Sequence, residues 1–485
     1  MPVTKNIAIV GGGWAGMAAA VYATQAGHHA TVFEASHSLG GRARVVSGSH
    51  VSTLPNGIPV SLDNGQHILI GAYSETLKLM QTVEVNLEKA LLRLPLTLQF
   101  PDKTGLKLPD WPAPWVVGLD AAWGIATAKG WTWSDKLALL RVASGWQRGG
   151  FSCSQHLSVL QLCERSNPKI TPRVMAELIE PLCLSALNTP MADASAQVFL
   201  RVLQDAMFSP NIQIDTKTSK PVTFKPVTFG SANLLIPTRD LSNLFPHPAA
   251  AWLLRHGGKV LLGERVESID YSNTGWQISA TTVKQSFDAV ILAGSPSNMA
   301  LALVNTAYSA TNNIAKELAH LLQREVQDWQ NSVNALRYEA IATVYAYSKG
   351  AKLSQPMLAL RSDTGADAQR PAQFVFDRGQ INSDRGQPGS EQGLLAFVIS
   401  AAQGDRLALQ EKVIAQGKSQ LNLPDLHPIQ TIIEKRATFA CTPNLQRPNQ
   451  QIAPGLLVCG DYVAGPYPAT LEGAVRSALQ AVQLL

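Results

Sequence analysis

A glycine-rich turn between a short apolar run and an alanine-rich run constrains this chain more than any other feature. Asn6-Ile-Ala-Ile-Val10 is almost wholly apolar, the pattern of a strand buried on both faces of a parallel sheet. Gly11-Gly-Gly-Trp-Ala-Gly16 follows, then Met17 to Ala26, which predicts a helix stopped at Gly27, then His29 to Glu34, which predicts a second strand. Gly11, Gly13 and Gly16 take the three glycine positions of a GxGxxG turn. The first permits the tight turn, the second lets backbone approach a pyrophosphate, and the third lets helix pack on strand. Free N–H groups at the helix start, from Trp14 and Ala15 onward, and the positive end of the helix dipole favour phosphate there. Glu34, followed by Ala35, ends the second strand, where a carboxylate accepts hydrogen bonds from ribose hydroxyls and repels a 2′-phosphate. This is a dinucleotide site of the Rossmann type, with NADP disfavoured.

Further strand-like text recurs much later. Ala249 to Arg255 predicts a helix ending at Gly257-Gly258, followed by strands at Val260 to Leu262 and Val266 to Tyr271. Phe287 to Ala293 and Gly455 to Asp461 predict two more buried strands, and Ala469 to Leu485 predicts a closing helix. Dinucleotide-type elements at the start, middle and end imply an α/β fold in which the cofactor domain, with a parallel sheet, is discontinuous: 1–75, 230–300 and 435–485. A second, α+β substrate domain is expected from 76–229 and 301–434, with helix over Glu177 to Leu187.

Composition narrows the partners. Charged residues make up 15% and apolar residues 46%, against roughly 25% charged in an average soluble domain. That balance suits either a large core or a greasy surface. The net charge of +5 comes without any Lys/Arg run, which argues against nucleic acid. Prolines and tryptophans crowd the stretch from Leu91 to Trp133, with Trp111, Trp115, Trp123, Trp131 and Trp133. Indole favours the head-group interface, so 108–133 is a candidate membrane-contacting segment as well as a candidate core segment. Five cysteines without a CxxC pair argue against a disulfide framework and against a zinc site, so no metal is expected, and they point to a reducing cytoplasm. No basic and apolar leader opens the sequence and no apolar run has spanning length, which predicts neither a signal peptide nor a transmembrane helix.

Glu34-Ala-Ser-His-Ser-Leu-Gly40-Gly41-Arg42-Ala-Arg44 resembles the E-x5-GGR extension of the flavin amine oxidase and phytoene desaturase superfamily. That resemblance implies FAD, with Gly41 and Arg42 closing over the pyrophosphate. It also implies that the Gly263-to-Ile269 strand pairs adenine through the Val266 backbone. Gly460-Asp461 and Pro468 to Ser477, with Thr470, Leu471 and Ala474, resemble the segment that holds the ribityl chain and flavin edge.

Three passages are more specific. Leu62-Asp63-Asn64-Gly65-Gln66-His67 through Tyr73, Pro181 to Pro190 with Ala194-Ser195-Ala196, and Pro468 to Ser477 resemble hydroxysqualene dehydroxylases of bacterial hopanoid pathways. Tyr462 departs from the tryptophan expected after Asp461. The resemblance implies an isoprenoid lipid substrate (hydroxysqualene), reduced at the expense of reduced FAD, and peripheral contact with the inner face of the cytoplasmic membrane. It leaves room for other squalene-pathway enzymes as partners. Gly65, Gln66 and His67 are then expected beside the flavin. Hydroxide leaves poorly, so a general acid is needed, and His67, Asp63, Glu472 and, less directly, Tyr467 are the candidates. Each has a plainer reading: a buried histidine bonded to backbone, a turn cap beside Asn64-Gly65, a first-turn carboxylate. An isoprenoid desaturase using a quinone or oxygen acceptor would use the same FAD site in the opposite direction. A flavin amine oxidase lacks support, since no aromatic cage signature precedes the terminal helix, and a non-catalytic lipid-binding flavoprotein is the remaining alternative.

Overall fold

The computed structural model describes residues 3–46, 52–55, 57–111, 118–208, 212–214, 227–272, 275–303, 313–382 and 391–485. Of the Pro/Trp-rich segment, Pro112, Pro114 and Trp115 lie outside the described residues.

Apolar strands from three distant stretches build one six-stranded sheet, in the order Lys259–Leu262, His29–Glu34, Asn6–Val10, Ala289–Leu292, Leu456–Val458, Gln451–Ala453. The first five run parallel and the last is antiparallel. Ile7 sits between Ala30 and Ala289, and Val10 between Phe33 and Leu292. Such strands are covered on both faces, which is why they read as continuous apolar runs rather than alternating ones. The Trp14–Gln25 helix packs on the Leu471–Gln483 helix and on Pro246–Arg255. Its buried residues are mostly small, with five alanines and Gly16, so the backbones approach closely.

Two elements differ from the sequence expectation, each for a local reason. The run from Phe287 to Ala293 is not one strand. Phe287 ends Lys284–Phe287 in a separate antiparallel sheet with Val266–Ser272 and Gly275–Ala280, while Ala289–Leu292 enters the parallel sheet. Asp288 makes the transition, its carboxylate accepting from the Asn6 N–H at 2.7 Å and its own N–H donating to the Asn6 carbonyl at 2.9 Å. The helix expected over Glu177 to Leu187 begins earlier and contains a widened turn at Met175–Ile179 before Glu180–Leu187. Pro181 supplies no N–H to the helical ladder at that point.

The second sheet is antiparallel, in the order Met357–Ala359, Phe374–Asp377, Leu394–Ile399, Tyr338–Tyr347, His427–Phe439. Along its Tyr338–Tyr347 strand, side chains alternate between two cores. Ala342, Val344 and Ala346 join one apolar cluster with the Arg406–Leu421 helix. Tyr345 and Tyr347 face the other, which includes Val159, Cys163, Leu178, Cys183 and Phe199.

Candidate active site

The three motif glycines meet different demands. Gly11 has φ +117°, and a Cβ there would come 2.9 Å from the Gly294 nitrogen. On Gly16 a Cβ would lie 1.9 Å from the Gly11 carbonyl oxygen. Gly13 has an ordinary φ of −75°, and a Cβ there would meet nothing nearer than the Gly41 Cα at 3.8 Å. The polypeptide's own packing therefore does not require glycine at 13; the bare backbone leaves room at the helix start, where the first N–H groups have no intrahelical acceptor. That cradle fits a pyrophosphate.

Around it, three further segments converge. Glu34 accepts from the Gly12 N–H at 2.6 Å and the Ser36 N–H at 2.8 Å. The Gly263 and Glu264 N–H groups donate to the Ser36 and Glu34 carbonyls at 3.1 and 3.0 Å, laying the half-buried Val266 segment alongside the exposed Ala35. Gly40 donates to the Gly12 carbonyl at 2.9 Å, and Gly41, at φ +60°, lies against Gly13. Trp14 offers its backbone only: the indole is buried on Phe245 and donates to the Ala43 carbonyl at 3.0 Å. Arg42 binds Asp461 Oδ1 at 2.5 Å and the Ala437 carbonyl at 2.6 Å. A planar fork with a carboxylate in reach satisfies both arms at once. Arg42 and Asp461 thus tie the first segment of the fold to the last.

At the C-terminal segment, Ser477 Oγ accepts from the Gly460 N–H at 2.8 Å and Thr470 Oγ1 caps the last helix by accepting from the Gly473 N–H at 3.0 Å. Leu471 and Ala474 sit in that helix's first turns, and Tyr467 and Ala469 before it both have φ +58°. Non-glycine residues held there carry strain that the surrounding structure must impose. The Tyr462 hydroxyl is buried and has no partner among the described residues. A bare cradle at Gly13, a capped helix start and an orphaned hydroxyl beside Asp461 all suit a large polar cofactor.

The candidate acids separate. Glu472 is fully buried and accepts from the Glu75 and Thr76 N–H groups at 3.1 and 2.9 Å, from Thr76 Oγ1 at 2.7 Å and from Arg476 Nε at 2.7 Å. Both carboxylate oxygens are occupied at the start of the Ser74–Thr82 helix, so Glu472 acts as a pin between two helices and is not carried forward as a proton donor. Tyr467 packs over the Arg476 guanidinium, and burial drives its hydroxyl pKa well up, leaving a weak acid.

Asp63 and His67 share a loop that bridges the two sheets. Asp63 does not cap a local turn; its Oδ1 accepts from the Leu241 N–H at 2.9 Å, while the Tyr345 hydroxyl donates to its carbonyl at 3.0 Å. Burial pushes its carboxyl up to about 7. The Asn64 amide donates to the Arg42 carbonyl at 2.9 Å. Gln66 Oε1 accepts from Arg378 Nη1 at 3.2 Å. Arg378 is 2% exposed and is held by Glu391 at 2.9 Å, itself 6% exposed. The His67 Nδ1 lies 2.8 Å from the Gly65 carbonyl and donates to it, leaving Nε2 without a partner among the described residues. Desolvation, with Arg42 nearby, lowers its pKa.

Sequence reasoning missed Arg378, Glu391 and Tyr345. The available signal was an Arg at the end of one apolar strand and a Glu before the next, facing runs that otherwise lack charge. The Pro181-to-Ala196 passage serves the scaffold: Asn188, at φ +47°, accepts from the Ala401 N–H at 2.7 Å and donates to Thr438 Oγ1 at 2.9 Å.

A parallel sheet with this glycine cradle, joined to an antiparallel sheet through a polar loop, defines an FAD-dependent oxidoreductase. The model of the flavin containing amine oxidoreductase family matches residues 14–430, and the chain belongs to that family. It is 23% identical to a hydroxysqualene dehydroxylase of Zymomonas mobilis subsp. mobilis over 98% of each chain. It is 24% identical to a hydroxysqualene dehydroxylase of Rhodopseudomonas palustris, covering 100% of this chain and 99% of that one. Among solved structures, an oxidoreductase from Methanosarcina mazei shares the fold with a TM-score of 0.67 at 14% identity, covering 99% of this chain and 100% of that one.

Proposed function

We propose that the protein converts hydroxysqualene to squalene by FAD-dependent reductive dehydroxylation, in squalene and hopanoid biosynthesis. The observation that carries this reading is the position of the Asp63–His67 loop, one of the three passages that resemble hydroxysqualene dehydroxylases. It lies between the dinucleotide sheet and a core rich in Leu, Phe and Val. The full-length likeness to two enzymes of that name supports it. In the reaction the substrate C–O bond breaks, the oxygen takes a proton and leaves as water, and the carbon receives a hydride. FAD, when bound in its reduced form, would supply that hydride. Gly11, Gly13, Gly16, Glu34, Gly41, Val266, Gly460, Asp461 and the Thr470 helix start hold the cofactor; Gly65 and Gln66 line it.

His67 donates the proton from Nε2. The Gly65 carbonyl orients the ring and accepts from Nδ1, and burial makes the imidazolium a stronger acid than usual, which suits a poor leaving group. The apolar surroundings keep water from the reacting carbon. Activity is expected to fall as pH rises through a value below 6.5, the ordinary histidine value. A limb near 7 would instead assign the proton to Asp63, and His67→Gln with unchanged turnover would remove His67.

The same reading brings the protein to the inner face of the cytoplasmic membrane. Leu119 and Trp123 on one helix, and Trp133 (71% exposed) and Leu137 on the next, present apolar i, i+4 pairs, with Trp111 packed on Trp123 at 6.0 Å. Exposed Lys107, Lys129 and Arg141 surround them and suit anionic head groups. Trp131 belongs to the core, its indole donating to Glu177 at 2.8 Å. Trp123→Ser/Trp133→Ser protein should co-sediment less with anionic vesicles; equal binding would discard the surface.

The deciding experiment is anaerobic: reduce the bound FAD, add hydroxysqualene in detergent, and follow flavin absorbance and products. Reoxidation matched by squalene supports dehydroxylation. If reduced flavin persists while oxidised enzyme bleaches with a more saturated isoprenoid, the enzyme is a desaturase.

A further inference from the structure

Thr343 lies in the middle of the Tyr338–Tyr347 strand, paired with Val398 on one side and Ile432 on the other. It is 1% exposed, and its Oγ1 has no hydrogen-bond partner among the described residues. A buried hydroxyl without a partner costs free energy, and a position in a close-packed strand would favour valine, which has the same shape and no such cost. Such groups therefore call for an explanation.

Its location offers one. By strand alternation Thr343 shares a face with Tyr345, whose hydroxyl is already bound to the Asp63 carbonyl. The adjoining loop residue is Gly65. A Cβ built on Gly65 would sit 3.7 Å from Thr343 Oγ1 and 3.8 Å from His67 Cε1, both ordinary contact distances. Gly65 thus turns bare backbone toward Thr343 and His67 at the sheet–loop junction, between an orphaned hydroxyl and an imidazole whose Nδ1 is engaged and whose Nε2 has no partner among the described residues.

We propose that Thr343 Oγ1 is the recognition group for the hydroxyl of an isoprenoid alcohol, seated between the strand and the Gly65–His67 turn. The threonine hydroxyl donates to the ligand oxygen, and His67 Nε2 meets the same oxygen from the loop side. A hydrocarbon in that place leaves Thr343 unpaired, so the subsite favours an alcohol over its deoxygenated product. This would help product leave. The inference rests on the proposed function for the ligand's class.

The test uses oxidised holoenzyme, which binds without turnover. Hydroxysqualene and squalene are titrated in detergent, with flavin absorbance as the readout, for wild type, Thr343→Val and Thr343→Ser. Wild type is expected to prefer the alcohol about tenfold. Thr343→Val should lower the preference to what His67 Nε2 alone provides, without lowering Tm, since no native hydrogen bond is lost, and Thr343→Ser should keep it. An unaltered preference in Thr343→Val, no preference in wild type, or a Tm loss in Thr343→Val that the serine variant restores would overturn the proposal. Anaerobic turnover separates the two readings. Alcohol preference that depends on Thr343 without dehydroxylation keeps the subsite and sinks the proposed function. Normal dehydroxylation by a valine variant whose preference is unaltered does the reverse.

Discussion

The turn from Gly11 to Gly16 and the loop from Asp63 to His67 are linked through Gly41, Arg42 and Asn64, and they are built in opposite ways. In the first, backbone does most of the work: glycines remove side chains, the Gly40 N–H donates to the Gly12 carbonyl, and the Glu34 carboxylate accepts from the Gly12 N–H. In the second, groups from distant segments do it, most of them side chains. Arg378 and Glu391 hold Gln66, Tyr345 holds the Asp63 carbonyl, and Leu241 holds the Asp63 carboxyl. A backbone cradle is defined by sterics over a few residues. A side-chain frame is defined by burial, and its members shift one another's protonation.

That contrast can be broken first at Gly16. Gly16→Ala would force a Cβ onto the Gly11 carbonyl at 1.9 Å. Backbone must move, and the variant is expected to lose about 3 kcal/mol or more and to purify without flavin absorbance at 450 nm, a wavelength typical of oxidised flavin at about that value. A yellow, stable variant would show that the turn tolerates what the geometry forbids.

Next comes the side-chain frame. Glu391→Gln leaves the Arg378 guanidinium buried without its counter-charge, a change that costs about 3–5 kcal/mol. Thermal unfolding of the holoenzyme measures it, and Arg378→Met/Glu391→Met should recover much of the loss because no lone charge remains. A single variant as stable as wild type would mean that water reaches the pair.

Asp63 sharpens the comparison through pH. Its folded carboxyl titrates at about 7 against an ordinary 3.8. Between those values the folded protein holds a proton that the unfolded chain has released. The contribution to stability is full below the lower value and is lost as pH rises through the upper one. Asp63→Asn should flatten the stability curve across that window by about one proton's worth of slope and gain relative stability at pH 8. Parallel curves for the two proteins would place the titration elsewhere.

The smallest effect on the polypeptide is expected at Gly13. Gly13→Ala meets no atom nearer than 3.8 Å, so the apoprotein should unfold within about 0.5 kcal/mol of wild type. FAD affinity should nonetheless fall by about tenfold or more, since the methyl occupies the pyrophosphate approach. Equal affinity would mean that the phosphates do not pass over Gly13.

How much was readable in advance follows the same divide. The first strand, the glycine turn, the second strand and Glu34 are adjacent in sequence and obey local rules, so their arrangement was legible. Gly13 and Gly16 could be named, although only the built contacts distinguish the glycine needed by the fold from the one whose position suits a ligand. His67 and Asp63 were legible as candidates but not in their roles. Nothing in the residues around Asp63 announces that Leu241 will occupy its carboxyl, or that burial will raise it. Glu472 read as a first-turn carboxylate on its own helix, and it is one; its ligands at Glu75 and Thr76 come from another helix nearly four hundred residues earlier.

By itself, then, the sequence determined the elements whose cause lies within a few residues: buried parallel strands, a glycine-rich turn, a terminal helix and the acid that ends the second strand. Sterics and hydrogen bonding of neighbouring residues suffice for these. Only the tertiary structure decided which polar side chains lose water together. It split the Phe287–Ala293 run at Asp288, joined Arg42 to Asp461, enclosed Arg378 with Glu391, and left Thr343 without a partner among the described residues beside Gly65. Those outcomes depend on desolvation and on contacts between segments far apart in the chain, and neither has a local signature.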